Sequence, residues 1–399
     1  MRRSEIGFGA LLLVVLLSAC TVPGTATSSH VDLATLDYGE YQHIPLTAPL
    51  NNDLYTGKIL ESVRLGEVMI NPARADPLLS QGTTTMAAVP LPTPTKVSGV
   101  LSEPSRAVLT RHGMLAGFTV AGSDTTEARK LTIVALRMPD ADAATKAAAE
   151  LDAADAAVNA DNVRVDIPEH TAAQAHWRPT VPSLAATIAA GNYVVSVLVH
   201  LPTIDLPAMT ALAGKTFSAQ IPELRRFVAT PREALATLPI DADGMVARMV
   251  PEKPGRWSMP AVTMSDLDRI AGGKILLQPR GLAFGPNAAY LMGSRESRST
   301  TERWAWLGLD GLLREPDAVT ARAAFDRSKR IIAAEGIHEF AGPAGIEDIW
   351  CGKQKDGPVY VQYFCKIVHG RYNATVFESS EQKVRQKAAA QYSLLVRAG

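Results

Sequence analysis

The 399-residue chain is poor in several things: it has three cysteines, 6% aromatic residues and no excess of either charge sign. Forty Lys and Arg balance forty Asp and Glu. Setting aside the first nineteen residues removes Arg2, Arg3 and Glu5 and leaves 38 basic against 39 acidic side chains. With no basic excess to release counterions from a polyphosphate, nucleic-acid binding is set aside. Beyond the N-terminus no apolar run approaches the ~20 residues that cross a bilayer. The longest, Tyr193 to Leu201, reads as a strand. Past the first nineteen residues the chain also lacks a G-x-S-x-G elbow, an H-E-x-x-H helix and a G-x-G-x-x-G turn, which removes the common hydrolase, zinc-protease and dinucleotide signatures.

What is present begins at the N-terminus. Arg2 and Arg3 precede an apolar stretch from Ile6 to Leu17, too short to span a membrane but suited to an export signal. Leu17-Ser18-Ala19-Cys20 follows and resembles the bacterial lipobox, in which small residues precede a cysteine that takes a diacylglyceryl group. We therefore expect a signal peptide over 1–19, lipidation at Cys20 and a flexible tether over 20–35, rich in Thr, Ser, Gly, Ala and Pro. The chain would be anchored on the extracytoplasmic side of the plasma membrane, since acyl chains contribute about 0.8 kcal/mol per buried CH₂.

With Cys20 acylated, Cys351 and Cys365 remain, an even pair in an exported chain. Asp356-Gly357-Pro358 is a turn cluster at their midpoint, and alternation from Val359 to Ile367 reads as a strand. A hairpin would set the two sulfurs opposite each other. A metal site or redox pair is the competing reading, but the spacing is not CxxC and no His sits suitably near, so a structural disulfide is expected.

Two stretches carry the same signals in the same order: Pro139-Asp140-Ala141, Trp177 and Gly191-Asn192-Tyr193-Val194-Val195-Ser196-Val197, then Pro316-Asp317-Ala318, Trp350 and Gly370-Arg371-Tyr372-Asn373-Ala374-Thr375-Val376. We read an α+β fold of two tandem related domains, each a small antiparallel sheet packed by helices, over 36–229 and 261–399, with a Pro-rich linker over 230–260. Asp53 to Met69 reads as an amphipathic helix, Pro90 to Pro94 as an extended loop and Met259 to Ile270 as a short helix. The two tryptophans, at equivalent points of the repeat, are expected to plug the two cores.

Other local matches dissolve on inspection. Gly214-Lys215-Thr216 ends like a P-loop, but Met209 stands where the first glycine belongs. Ser380 and Lys383 make an S-x-x-K tetrad without its partner motifs; Ser379 and Gln382 read instead as a capping box. Asp241-Ala242-Asp243-Gly244 places its glycine too early for an EF-hand and reads as a solvated turn. His170 and His176 bracket a loop beside Glu169 in no metal-ligand spacing, and read as surface histidines. His200 shares a strand face with Ser196 and reads as a satisfied or exposed histidine. No metal or cofactor is expected.

The Leu17-Ser18-Ala19-Cys20 box, Val31-Asp32-Leu33-Ala34-Thr35-Leu36-Asp37-Tyr38-Gly39, Ala75-Asp76-Pro77-Leu78 and Gln386-Lys387-Ala388-Ala389-Ala390-Gln391-Tyr392 together resemble the uncharacterised two-domain lipoproteins of mycobacteria, nocardiae and rhodococci. The excess of Arg over Lys suits that origin. The resemblance implies a location and no reaction. The leading expectation is a non-catalytic binding or accessory protein of the cell envelope, with an envelope lipid, glycan or protein as ligand and a groove between the two domains to hold it. The alternative is a surface hydrolase with a dispersed set drawn from Glu169, His170, Ser196 and His200.

Overall fold

The computed structural model describes residues 31–83, 88–97, 100–264, 277–292, 300–355 and 362–398. The signal peptide, Cys20 and the Asp356-Gly357-Pro358 turn lie outside them.

Helix α1 (Leu54–Leu65) leads into the first unit: β1 (Val89–Pro90), α2 (Pro94–Val97), α3 (Ser105–Arg111), β2 (Ala116–Ser123), β3 (Lys130–Arg137), α4 (Ala141–Ala156), β4 (Val163–Arg164), β5 (Gln174–Trp177), β6 (Ser183–Ala190), β7 (Tyr193–His200) and α5 (Leu206–Arg226). A two-stranded ribbon, β8 (Ala261–Met264) with β9 (Leu277–Arg280), precedes the second unit. That unit holds β10 (Leu282–Phe284), α6 (Pro286–Met292), β11 (Arg303–Leu307), β12 (Asp310–Arg314), α7 (Ala318–Ala333), β13 (His338–Phe340), β14 (Ile349–Lys353), β15 (Tyr363–His369), β16 (Tyr372–Glu378) and α8 (Glu381–Arg397).

Each unit forms a seven-stranded antiparallel sheet, ordered β1-β2-β3-β7-β6-β5-β4 and β10-β11-β12-β16-β15-β14-β13. The two orders are the same pattern, so the molecule is α+β and built from one topology used twice. The repeated sequence signals have simple mechanical causes. Asp140 and Asp317 are the N-caps of α4 and α7, their carboxylates accepting from Ala143 N and Thr320 N. Gly191 and Gly370 take positive φ, 59° and 52°, in the two-residue turns that close the β6–β7 and β15–β16 hairpins.

In the first unit α4 covers one face of the sheet and α5 the other. Ala144, Ala147, Ala148 and Leu151 meet Val134, Leu136 and Val194 on the α4 face, whereas Met209, Leu212, Ala213 and Phe217 meet Ile133, Val195 and Val197 on the α5 face. In the second unit α7 and α8 repeat this sandwich. Cys351–Cys365, bonded and directly opposite each other on β14 and β15, lies on the α8 side with Val384, Ala388 and Leu395. The disulfide expectation is met.

Three local expectations are corrected. Residues 261–264 are strand, not helix: the apolar side of Val262 is held by pairing with β9. Ser380, not Ser379, caps α8, its hydroxyl accepting from Lys383 N; that puts Lys383 at the third helical position and leaves no capping box. Within Pro90 to Pro94, the first residue pairs with Phe118 on β2 and the last opens α2. Trp177 and Trp350 each pack into a core as expected, on equivalent strands but opposite faces, Trp177 toward the α5 side and Trp350 against α7. A register difference of an odd number of residues sends a side chain to the other face of a sheet.

Residues 31–44 do not join the first unit. Leu36, Tyr38 and Tyr41 pack on Ala389, Ala390 and Leu394 of α8, and Ser393 Oγ donates to His43 O. The Pro-rich stretch after α5 is likewise packed: Met245 and Met249 enter the core of the second unit, and Thr230 bonds to Glu61 of α1.

Candidate ligand-binding cleft

Among the described residues the space where a groove between the two units was expected is filled. Phe118, Phe284, Ala288, Leu291 and Trp304 belong to one continuous core with Ile59, Val63 and Leu65 of α1. A Cβ on Gly66 would stand 2.7 Å from the Phe118 ring and 3.0 Å from Ala288 Cβ, so the two units touch at backbone distance. The Glu67 carboxylate accepts from Asn287 N and Ala288 N at 3.1 and 3.0 Å, capping α6 from the other unit. Burial pushes the Glu67 carboxyl up against these bonds. Asn287 Nδ2 returns two bonds, to Gly66 O and Met69 O.

A cleft of about 590 Å³ opens instead inside the second unit, between α7 and the sheet. Register explains it. In the first unit the row Thr119, Val134, Ser196, Thr187 crosses β2, β3, β7 and β6; its counterpart in the second is Trp306, Gly311, Thr375, Lys366. The next row reads Gly117, Leu136, Val194 in the first unit and Trp304, Leu313, Asn373 in the second. The first unit closes over its rows with alanine-rich α4 and with Val97, Val108 and Leu109 of α2 and α3. Among the described residues the second unit has only α6 between β10 and β11, and α6 is turned toward the inter-unit core through Ala288, Ala289 and Leu291. Among the described residues no such pair of helices closes over Trp304 and Trp306.

The two indoles stack with centroids 4.8 Å apart, and Phe325, Ile331 and Phe377 complete the apolar wall. Gly311 keeps the floor clear: a Cβ there would stand 3.3 Å from Trp304 Nε1. The polar groups are few, as in small-molecule sites generally. Lys366 Nζ donates to Thr375 Oγ1 at 3.1 Å. Asn373, only 8% exposed, donates from Nδ2 to Ala321 O of α7, and its Oδ1 has no hydrogen-bond partner. Asp310 borders the cleft but spends its charge on the opposite side, on Lys387 of α8 at 2.8 Å, and burial pushes its carboxyl up. A second groove, between residues 35–37 and the start of α8, is lined by Asp37, Glu381, Arg385 and Gln386, which already pair with one another.

The residues singled out by sequence fall elsewhere. Ser196 lies on the α4 face, where its Oγ accepts from Thr187 at 3.0 Å; His200 is four residues along the same strand, roughly 13 Å away. Glu169 and His170 sit beyond the opposite face, where His170 Nε2 meets Ser218 Oγ of α5 at 2.9 Å. The sheet separates the two pairs, so no hydroxyl–imidazole–carboxylate set is assembled from them. His176 is not a surface residue: it is 7% exposed, with Nδ1 2.8 Å from Asp152 and Nε2 3.4 Å from Asp155, both on α4. Burial lowers its pKa, but the two carboxylates outweigh burial and raise it to about 9. No cluster of three or more metal-ligating side chains occurs among the described residues. Sequence reading missed the cleft residues themselves; the one available signal was Trp304-Ala305-Trp306, two large aromatics two apart on a strand and hence on one face.

One antiparallel α+β unit used twice, closed in its first copy and cleft-bearing in its second, defines the class of protein. The chain belongs to the family described as domain of unknown function DUF7373: the N-terminal domain matches residues 48–240 and the C-terminal domain residues 245–398. No curated protein matches the chain. Among solved structures it is similar to the extracellular domain of PknH from Mycobacterium tuberculosis, with 14% identity over 44% of this chain and 98% of that one and a TM-score of 0.28. No helix among the described residues is long and apolar enough to cross a membrane.

Proposed function

We propose that the chain is a non-catalytic binding protein of the cell envelope, held on the extracytoplasmic side of the membrane by a lipid on Cys20, with the cleft of the second unit as its ligand site. The observation that carries the reading is the aromatic-floored cleft of about 590 Å³, kept open by Gly311 and by the absence of an α2–α3 counterpart among the described residues. A volume of this size suits a small apolar ligand or a lipid chain. The apolar leader and the small residues before Cys20 support the anchor.

Two measurements test this. Native mass spectrometry on the exported chain is expected to show added mass that leaves on denaturation and proves to be a lipid or other apolar envelope component. Fractionation of cells is expected to find the chain with the membrane, and Cys20→Ser is expected to release it. A bare protein mass together with no uptake of any apolar probe would overturn the binding reading; a Cys20→Ser chain that stays in the membrane would overturn the anchor.

A further inference from the structure

We infer that the chain stands on the membrane by the outer margin of its second unit, with loop 341–348 toward the lipid surface and the first unit held outward. The inference rests on the lipid anchor at Cys20 proposed above and adds which face of the molecule that anchor turns to the bilayer.

The path of the chain after the anchor carries it. Val31 and Leu33 join Leu36, Ile346 and Ile349 in one apolar cluster. Val31 Cγ1 lies 3.6 Å from where a Cβ on Gly345 would stand. The chain thus enters the folded body at the loop between β13 and β14 of the second unit, although its next helix, α1, leads into the first. The entry is held by its own bonds. The Asp32 carboxylate accepts from Ala34 N at 2.9 Å and caps a 3₁₀ turn over Leu33–Thr35, and the Tyr38 hydroxyl donates to Leu33 O. Gln386 Nε2 donates to Asp37 Oδ2 at 2.9 Å, and Ser393 Oγ to His43 O at 3.0 Å. Gly39, at a φ of 51°, lets the segment lie against Gln386: a Cβ there would stand 2.6 Å from Oε1. A pull on the lipid is therefore delivered to β14 and α8 of the second unit.

Strand order says where that entry lies. At one margin of the second sheet is β10, whose Leu282 and Phe284 join the core shared with α1, as do Ala288, Ala289 and Leu291 of α6. At the other margin is β13. Across a seven-stranded sheet the two margins stand about 29 Å apart at ~4.8 Å per strand. The first unit and the anchor are thus attached to opposite margins of one sheet.

Length then decides the orientation. Eleven residue steps separate Cys20 from Val31, at most about 40 Å of fully extended chain. A compact body of this many residues has a radius of gyration of about 21 Å and is roughly 50 Å across. With the side opposite Val31 on the bilayer, Val31 would stand beyond the reach of its own anchor. With loop 341–348 toward the lipid, the reach is ample.

The test uses the lipidated full chain, added to preformed phosphatidylcholine vesicles that carry an acceptor dye on their headgroups. A donor dye is attached through an unnatural side chain at Ala344 or at Asp161, both exposed. Asp161 directly precedes β4, the margin of the first sheet remote from β1. Energy transfer from Ala344 is expected to exceed transfer from Asp161 severalfold, with circular dichroism unchanged by either label. An insertion of about forty Gly and Ser residues between His30 and Val31 carries the reach well past the width of the body and is expected to bring the two values together. Equal transfer from the two positions, or more from Asp161, in a chain that floats with the vesicles overturns the orientation and leaves the anchor standing. A difference that survives the insertion overturns tether length as its cause. A chain that does not float with the vesicles overturns the anchor, and the orientation with it.

Discussion

The His176 pair with Asp152 and Asp155 predicts how the first unit responds to alkali. His176 on β5 is clamped to α4 from both ring nitrogens, and its pKa stands near 9 in place of 6.5. A group whose folded pKa is raised contributes stability that is complete below its unfolded pKa and lost as pH climbs through the folded one. The contribution should thus be full at pH 6, falling from pH 6.5 onward and gone above about pH 9. If wholly realised, the shift corresponds to about 3 kcal/mol. Asp155 is 36% exposed, and solvent screening reduces this to about 1–2 kcal/mol. Asp155 shifts in the complementary sense, its pKa lowered by the His176 bond, so its share is present above pH 4 and fades as pH falls through the lowered value. The assay is urea unfolding at a series of pH values from 5.5 to about 9.5 for the native chain and His176→Gln. The native chain should exceed the variant by about 1–2 kcal/mol at pH 6 and converge with it above pH 9. Parallel profiles, or a difference that grows with pH, would refute the assignment of a doubly paired imidazolium.

Three further outcomes follow from the packing. Glu61 is fully buried and receives Arg137, Thr230 N and Thr230 Oγ1, so Glu61→Ala strands Arg137 and should cost about 3–5 kcal/mol in urea unfolding. Removing the disulfide as Cys351→Ala with Cys365→Ala should lower stability by about 3 kcal/mol, with hydrogen exchange in β14 and β15 rising before exchange in the first unit. Gly311→Ala should press on the Trp304 indole, cost about 1–2 kcal/mol, shift tryptophan emission and weaken any ligand of the cleft; unaltered emission would show that the indole yields freely.

Much of the fold was legible because the duplicated signals are local. Asp140 and Asp317 are read as caps from three residues of sequence, and Gly191 and Gly370 mark hairpins for the same reason. Cys351 and Cys365 were placed opposite each other by counting from a turn. The site was not legible, because it depends on what covers a sheet face, and that is decided by helices far off in sequence. Ser196 illustrates the difficulty. It occupies the position of Thr375, a residue of the candidate cleft, but in the copy where alanines on α4 close the face. His176 looked like a surface histidine because its partners lie 24 and 21 positions earlier on a helix, a distance that spacing motifs do not span.

Residues 31–44 lie on α8, and Gln386 Nε2 reaches Asp37 Oδ2 across 349 positions of chain. This segment therefore has nowhere to dock until α8 exists. During synthesis Leu36, Tyr38 and Tyr41 must wait for α8 with their apolar faces uncovered. Closing so long a loop costs little more than closing a short one, because the entropy grows only with the logarithm of length, but the step comes last. Seating of this segment then acts as a completion signal for the whole chain. A form cut short before α8 exposes Leu36, Tyr38 and Tyr41 at its leading end, the kind of surface that marks an unfinished protein for removal.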